Sequence, residues 1–385
     1  MLMYLAAFAV SIGLTACGEG LYQKKNPKGG VACLVLAVLV AALLAGLRDV
    51  SVGTDSVVYE WWFNSAREMG SLQEYLTSRY SIYEPLFLAL IYAAACVFKT
   101  VQGAYFLIGL CTYGFAMIAI TLFRKKISIP LAWASYIFLF FGYSLNAMRQ
   151  SLAMTALLLA VLLLMRRNYV GYAAFTAFAF LAHRISTFLS AAFLVIYLVL
   201  KKWNTWQIKT ALLGCTAAAV LLYKQIFYAL SHTGLFPDWF SSYIEEIGEV
   251  HLSLNPILVR LPFLLLAVVF YREFARKSEN KTDKSDADFL LVMMGMEMIL
   301  SELRIFSVTL YRICLYFGVF RCLGIGRLVA ALRESPKFRK WEKPIIVLLL
   351  AMLAVVWVYQ AVLQGNDEIY PYTSELLHIS EGMLF

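Results

Sequence analysis

The chain has 385 residues, of which 62% are hydrophobic and 15% are charged, and its mean hydropathy is +0.73. A soluble domain is about half apolar and about a quarter charged, so this composition excludes an ordinary soluble enzyme. The net charge of +9 does not indicate a nucleic-acid partner, because the basic residues fall in short clusters between apolar runs. Such clusters mark the cytoplasmic side of a membrane protein. We therefore predict one polytopic membrane domain over residues 1–385.

Apolar runs that approach the roughly 20 residues needed to span a bilayer recur along the whole chain. They predict an all-α bundle of about twelve transmembrane helices, with every basic cluster inside and both chain ends outside. The predicted spans are 2–18, 31–47, 104–123, 128–144, 149–165, 169–182, 185–200, 207–223, 256–271, 288–303, 305–325 and 344–363.

One further apolar run, 85–98, is only about 14 residues long, which is short for a span. Counting it as a crossing would move some of the basic clusters to the outside. We therefore predict a re-entrant or interfacial helix here, with both of its ends on the external side.

Three stretches between the spans are predicted to lie outside the bilayer. Residues 48–84, which are rich in Trp and Tyr, and residues 224–255 are predicted as external loops, and residues 272–288 as a solvated cytoplasmic linker. Asp286 and Asp288 match the DxD pattern of metal-dependent sugar transferases, but the Lys-, Asp- and Ser-rich composition around them favours the linker. The seven Cys and four His show no metal-ligand spacing. We predict neither a metal nor another cofactor.

A polar stretch interrupts two of the most apolar runs. Asn146, Arg149 and Gln150 are spaced i, i+3 and i+4, which places them on one face if the segment is a continuous helix. An arginine is costly in hydrocarbon, so two interpretations stand side by side. Arg149 is either an anion-binding group at a membrane-embedded site or an arginine that anchors a helix end at the interface.

Four short motifs follow one another in a characteristic order. They are Arg48-x₄-Gly53-Thr54-Asp55-x₃-Tyr59, Glu84-Pro85-Leu86, Asn146-x₂-Arg149-Gln150 and Ala182-His183. The order resembles that of the EpsG family, Wzy-like membrane proteins of bacterial exopolysaccharide synthesis. One departure stands out, since the family His is usually followed closely by Ser or Thr, whereas here Arg184 and Ile185 precede Ser186.

The resemblance implies a polymerase, or a related glycosyltransferase, that uses polyprenyl-diphosphate-linked oligosaccharides on the outer face of the bacterial plasma membrane for exopolysaccharide or capsule synthesis. The lipid-linked oligosaccharide and the bilayer are the expected partners. A chain-length regulator and a flippase of the same pathway are further candidates. No nucleic acid and no cofactor are implied.

The residues suit this chemistry on their own terms. Guanidinium groups stabilise the negative charge of a departing diphosphate, and a side chain that titrates near neutrality can accept the proton of the attacking hydroxyl. The base is predicted to be His183, with Asp55 and Glu84 as rivals. The predicted diphosphate-binding set is Arg149, Asn146, Gln150, Arg48, Arg304, Arg312 and Tyr59.

Other interpretations stay open at this stage. His183 could cap a helix, Asp55 could form a turn, and Glu297 and Arg304, which share a helix face with Ser301, could form an internal ion pair. At the level of function, the alternatives are a flippase or exporter of lipid-linked oligosaccharide and a transferase that adds a single glycosyl or acyl group. The clustering of basic groups towards one face favours surface chemistry over transport.

Overall fold

The structure, a computed structural model, describes residues 1–231, 255–276 and 281–380. The described chain is helical and contains no β-strand, which confirms the all-α prediction. It divides into two compact units. The first comprises Met1–Ala191 with Lys340–Phe385, and the second comprises Ala192–Arg339.

The first unit contains ten complete helices among the described residues, and a further helix, α10 (Ser186–Lys202), begins in it and ends in the second unit. The ten are α1 (Leu2–Gln23), α2 (Pro27–Gly46), α3 (Ser56–Glu68), α4 (Leu72–Thr77), α5 (Pro85–Val97), α6 (Gln102–Leu122), α7 (Ile129–Asn146), α8 (Met148–Met165), α9 (Tyr169–Ala182) and α18 (Glu342–Trp357), the last continued by a π-helical turn over Val358–Leu363.

Local sequence signals set several of these boundaries. Asn26 caps α2, because its side-chain oxygen accepts a hydrogen bond from the Gly29 N–H at 3.0 Å and Pro27 occupies the first helical position. Pro85 begins α5 in the same way. A proline at the first position has no N–H to leave unpaired, so the sequence favours a helix start at both points.

The core of the first unit lies around α7 and α8. In these two helices 83% and 89% of the span-length segments are buried, compared with 28% in α1. Polar side chains tie the neighbouring helices to this centre. The Trp133 indole N–H of α7 donates to Ser11 of α1 at 2.8 Å, and the Ser11 hydroxyl donates to the Ala37 carbonyl of α2 at 2.8 Å.

The second unit contains α11 (Trp206–Leu221), α12 (Tyr223–Ser231), α13 (Asn255–Leu258), α14 (Leu261–Val269), α15 (Tyr271–Arg276), α16 (Lys281–Leu300), a 3₁₀ turn over Ser301–Ile305, and α17 (Val308–Glu334). Helix α17 is the centre of this unit, since 94% of its span-length segment is buried.

Seven helices of the described chain are long and apolar enough to cross a membrane, so the chain is a membrane protein. Three further apolar helices, α5, α9 and α11, are shorter. The predicted number of about twelve crossings is not reached by this criterion and stays a prediction. Helix α5 covers the run 85–98 with 13 residues, and its re-entrant or interfacial placement likewise stays a prediction.

The predicted loops are more ordered than expected. The stretch 48–84 contains α3 and α4, so it is a folded helical segment. Helix α12 takes up the first part of 224–255, and residues 232–254 of that predicted loop lie outside the described residues.

The predicted solvated linker over 272–288 is wrong for its last residues. Helix α16 runs through them, and Asp286 and Asp288 are buried. The Lys209 ammonium of α11 lies 2.8 Å from Oδ1 of Asp288, and the Tyr271 hydroxyl donates to the same oxygen at 2.7 Å. A charged segment can enter the interior here because an apolar helix supplies the matching cation.

The segment 366–375, which follows the last long helix, folds back onto the first unit. The Tyr372 hydroxyl donates to the Leu44 carbonyl at the end of α2 at 3.1 Å, and the Tyr372 side chain is fully buried. The Asp49 N–H donates to the Thr373 carbonyl at 3.1 Å. The segment therefore closes over the chain that joins α2 to α3.

Candidate functional site

A tyrosine hydroxyl separates α7 from α8. The Tyr59 hydroxyl of α3 donates to the Asn146 carbonyl at 2.7 Å and accepts the Met148 N–H at 3.2 Å. Ala147 between them has φ −80° and ψ 58°, so the helix is interrupted at this residue. The predicted continuous face over Asn146, Arg149 and Gln150 is therefore wrong, because Asn146 and Arg149 belong to different helices.

Asn146 joins two distant parts of the chain. Its Oδ1 accepts the Asp55 N–H at 3.3 Å, and its Nδ2 donates to the Asp367 carbonyl at 2.6 Å. Gly53 makes room for it, because a Cβ on Gly53 would lie 2.6 Å from Asn146 Oδ1 and the backbone of Gly53 has φ +102°. Asn146 is buried in this position, so its amide holds the 53–55 turn against the segment 366–375.

Arg48 is enclosed by the protein. Its Nε donates to the Val52 carbonyl at 3.3 Å, its Nη2 donates to the Leu145 carbonyl at 2.9 Å, and its Nη1 donates to the Ala45 carbonyl. The guanidinium carbon lies 3.9 Å from the centre of the Tyr105 ring. All three nitrogens thus donate to backbone carbonyls, and two of these, Ala45 and Leu145, lie in the last turns of α2 and α7, where arginine stabilises a helix end. We assign Arg48 a structural role rather than the predicted contact with diphosphate.

Gln150 is also buried, and its Oε1 accepts the Tyr143 hydroxyl at 2.7 Å. This bond joins the last turn of α7 to the first turn of α8. Together with Tyr59 and Asn146, Gln150 therefore supports the interruption between the two helices.

Arg149 is the residue of this stretch that reaches the surface. Its Nη1 donates to Oε2 of Glu84 at 2.6 Å, and the side chains of Arg149 and Glu84 are 28% and 10% exposed. The difference in exposure places the carboxylate behind the guanidinium. A guanidinium has five N–H donors, and among the described residues Glu84 is the hydrogen-bond partner of Arg149.

Two aromatic rings support this guanidinium. Its central carbon lies 5.1 Å from the ring centre of Tyr83 and 5.5 Å from that of Trp62, and the two rings are 4.4 Å apart. Stacking on aromatic faces is a property of arginine that lysine reproduces poorly. The planar group is thus held in a fixed orientation by a carboxylate and two rings.

Glu84 also reaches the corner between α9 and α10. Its Oε1 accepts the Arg184 N–H at 3.4 Å. His183, the residue before, ends α9 in an extended conformation with φ −162° and is half-buried. The structure therefore brings together three of the predicted site residues, namely His183, Glu84 and Arg149.

The electrostatics of Glu84 follow from these neighbours. Burial raises the pKa of Glu84, but the Arg149 guanidinium and then His183 outweigh that effect, so the pKa of Glu84 lies below its ordinary value of 4.5. Glu84 is consequently ionised at neutral pH. A carboxylate with a lowered pKa is a weaker proton acceptor. The position of Glu84 suits it to orienting Arg149 on one side and the His183–Arg184 corner on the other.

Asp55 occupies a different position. It precedes the first residue of α3, its main-chain N–H donates to Asn146, and its side chain is half-buried. Among the described residues its carboxylate forms no ion pair. Asp55 therefore lies in the turn before α3 and is held there by its main chain, without a capping bond from its side chain.

The remaining predicted residues lie in the second unit. Arg304 in the 3₁₀ turn and Arg312 near the start of α17 are exposed, and the guanidinium of Arg304 lies 5.5 Å from the ring centre of Tyr311. The predicted pairing of Glu297 with Arg304 is wrong. Glu297 Oε1 lies 3.0 Å from Arg260 and 3.1 Å from Arg321.

Several contributors were missed from the sequence. Trp62 and Tyr83 were assigned only to the aromatic loop, and Arg184 only to a departure from the family pattern. Arg260 and Arg321 each lie inside a predicted apolar span. A charged residue within a membrane span usually has a partner or a function, and this signal could have identified both arginines as members of a buried cluster.

The structure offers no ready metal site, because no group of three or more His, Cys, Asp or Glu side chains in the described ranges could hold a metal ion. The chemistry that the site can support on its own is anion binding by Arg149 and proton transfer by His183.

Comparison with known proteins identifies the family of this chain. The family model described as the EpsG family matches residues 31–374, nearly the whole chain. No curated protein and no solved structure matches this chain. The matched range includes all ten predicted site residues. As the order of its motifs predicted, the chain belongs to the EpsG family.

Proposed function

We propose that this protein is a membrane glycosyltransferase of the polymerase type, which joins polyprenyl-diphosphate-linked oligosaccharide repeat units on the outer face of the bacterial plasma membrane. Family membership supports a membrane protein of exopolysaccharide synthesis. The product is proposed to be an exopolysaccharide or a capsule, and a flippase and a chain-length regulator are the proposed partners in the pathway.

The observation that carries this proposal is the set of contacts that fixes the Arg149 side chain. Its guanidinium is held by the Glu84 carboxylate and by the rings of Trp62 and Tyr83, and 28% of its side chain is exposed. His183 lies close enough to Glu84 to lower its pKa. A group that served only to anchor a helix end would not need a carboxylate and two rings to fix its plane. A fixed fork of donors is what recognition of phosphate oxygens requires.

The proposed reaction joins two lipid-linked units. A hydroxyl of the acceptor sugar attacks the anomeric carbon of the donor sugar, the new glycosidic bond forms, and the bond between that carbon and the diphosphate breaks. The lipid diphosphate leaves with the bonding electrons, and its negative charge is stabilised by Arg149. The hydroxyl proton passes to the imidazole of His183. The donor is already activated, so this scheme uses no nucleotide.

The assignment of the base follows from a comparison of three candidates. Glu84 is committed to Arg149 and to the Arg184 N–H, and its lowered pKa makes it a weak base. Asp55 belongs to the turn held by Asn146. His183 lies next to the Arg149–Glu84 pair, and imidazole is the side chain that most often serves as a general base. We therefore place proton acceptance at His183 and the orienting role at Glu84.

The test is turnover of a purified lipid-linked repeat unit by wild-type protein and by two variants of Arg149, with product length read on a gel. A ladder of products supports the polymerase. Arg149→Lys should lose most of the activity and Arg149→Ala essentially all of it, because loss of one stabilising donor costs about 10²- to 10³-fold.

The matched control is Arg67→Lys. Arg67 is an exposed arginine of α3 that donates to the Lys99 carbonyl, and its replacement should leave turnover unchanged. A fully active Arg149→Lys variant would exclude the diphosphate role. A single added unit would indicate the single-addition transferase, and transport without any bond formation would indicate the flippase or exporter.

A further inference from the structure

The charge of the Arg149 site is almost cancelled within the protein. Arg149 and Glu84 form an ion pair at 2.6 Å, so together they contribute no net charge. A diphosphate carries at least two negative charges as it leaves, and an anion of that charge needs uncompensated cations nearby. Another positive group is therefore required for strong binding.

Arg184 has the position to supply it. Its backbone N–H donates to Glu84 Oε1, while Arg149 donates to Oε2 of the same carboxylate. The two arginines are thus attached to the two oxygens of one carboxyl group. The Arg184 side chain is exposed, and within the described part of the chain it forms no ion pair.

The first turn of α10 adds to the positive potential. This helix of 17 residues begins at Ser186, two positions after Arg184. The amino-terminal end of a helix carries a partial positive charge and attracts anions. The Ser186 hydroxyl oxygen is buried, and among the described residues it has no hydrogen-bond partner. An unpaired buried hydroxyl at the start of a helix is a donor left over for a ligand.

The turn that presents these groups is fixed. The Ser186 N–H donates to the His183 carbonyl at 3.1 Å, and the Thr187 N–H donates to the Arg184 carbonyl at 3.2 Å. Together with the bond from Arg184 to Glu84, these contacts hold the backbone of 183–187 in one conformation. The arginine side chain therefore projects from a defined point beside Arg149.

We propose that Arg184 is a second phosphate-binding residue, which supplies the uncompensated positive charge of the site and binds the diphosphate of the lipid-linked donor together with Arg149 and the first turn of α10. The identity of this diphosphate as the donor's rests on the proposed function. The anion site itself does not, because it follows from the placement of the two arginines, Glu84 and Ser186.

The experiment measures binding of inorganic pyrophosphate to purified protein in zwitterionic nanodiscs by calorimetry, independently of turnover. Arg184→Gln should weaken binding at least about tenfold, because it removes the charge and the charge-assisted hydrogen bonds that the guanidinium would donate to phosphate oxygens. Arg184→Lys should bind better than Arg184→Gln because it keeps the charge. Lys99→Gln, which removes an exposed cation from the chain between α5 and α6 of the same unit, should bind like the wild type.

Salt and lipid composition sharpen the result. The difference between wild type and Arg184→Gln should shrink as ionic strength rises, because an exposed cation is screened. Equal pyrophosphate affinity of wild type and Arg184→Gln would overturn the proposal. So would a difference confined to nanodiscs of anionic lipid, since Arg184 would then bind headgroups.

The same samples separate this proposal from the function. Tenfold weaker pyrophosphate binding in Arg184→Gln, combined with no polymerisation by the wild type, would retain the anion site and reject the polymerase. A ladder of products with unchanged pyrophosphate binding would retain the polymerase and reject Arg184.

Discussion

Glu84 in the first unit and Glu297 in the second each hold arginines, but the two centres differ in exposure. The side chains of Glu297, Arg260 and Arg321 are 1%, 5% and 6% exposed, whereas that of Arg149 is 28% exposed. Arg260 is further bound by the Tyr311 hydroxyl at 2.9 Å and the Pro256 carbonyl at 2.8 Å.

The difference separates two uses of the same chemistry. At Glu297 the guanidinium donors are directed to protein atoms inside the second unit, where each ion needs a partner to offset the loss of its hydration. In the Arg149–Glu84 pair, the Glu84 side chain is nearly buried, whereas part of the Arg149 side chain is exposed. We infer that the Glu297 centre holds the second unit together and that the Glu84 centre is built to bind a ligand.

The largest expected effect comes from Glu297→Gln. Two buried cations would lose their carboxylate, and removal of one partner from a buried ion pair costs about 3–5 kcal/mol. We expect a large fall in unfolding temperature, measured in detergent by fluorescence-detected unfolding. Glu68→Gln, which alters an exposed carboxylate of α3, should change the unfolding free energy by less than about 0.5 kcal/mol. Equal unfolding temperatures for wild type and Glu297→Gln would remove the distinction between the two centres.

The next effect is on turnover rather than stability. His183→Ala removes the proposed base, so turnover of the lipid-linked repeat unit should fall about 10²- to 10⁴-fold while membrane insertion and unfolding temperature stay close to wild type. The control is His378→Asn, because His378 is exposed and its backbone has φ 54°, a conformation that Asn tolerates. Near-normal turnover by His183→Ala would transfer the role of base to Asp55.

The smallest expected effect is on the dependence of stability on pH. Because the pKa of folded Glu84 lies below 4.5, its ion pair stabilises the protein fully above that pH, and the stabilisation is lost as the pH falls through the lower folded-state pKa. At neutral pH, the unfolding free energy of the wild type should exceed that of Glu84→Gln by about 1–2 kcal/mol. The difference in unfolding free energy, followed from pH 7 to pH 3, should close only at the acid end. A difference that stays constant to pH 3 would show that the carboxylate charge contributes nothing.

Much of the helical framework could be predicted from hydropathy alone. Whether a segment forms an apolar helix depends on the composition and length of that segment alone. Accordingly, each of the twelve predicted spans overlaps a helix of the structure. Proline or asparagine at the starts of α2, α5, α7 and α9 is an equally local signal. The number of crossings is less accessible, because it depends on how short helices such as α9 and α11 meet the bilayer.

The arrangement of side chains depended on contacts between distant residues. The helical face assumed for Asn146 and Arg149 failed because Tyr59, 87 positions before Asn146, binds at the interruption between α7 and α8. Arg149 and Glu84 are 65 positions apart. The order of family motifs named both as site residues, but spacing along the chain could not show that they form a pair.

The contact of the segment 366–375 with the chain between α2 and α3 also sets an order of assembly. The Asp367 carbonyl receives both the Thr54 N–H and the Asn146 amide, and the Glu368 carbonyl receives the Gly53 N–H. These bonds cannot form until the ribosome has synthesised residue 368, although Arg149, Glu84 and His183 emerge much earlier. A chain interrupted after α17 would carry the Arg149 site but lack the support of its 53–55 turn. The cell would thus obtain a completed turn only from chains that have been translated past residue 368.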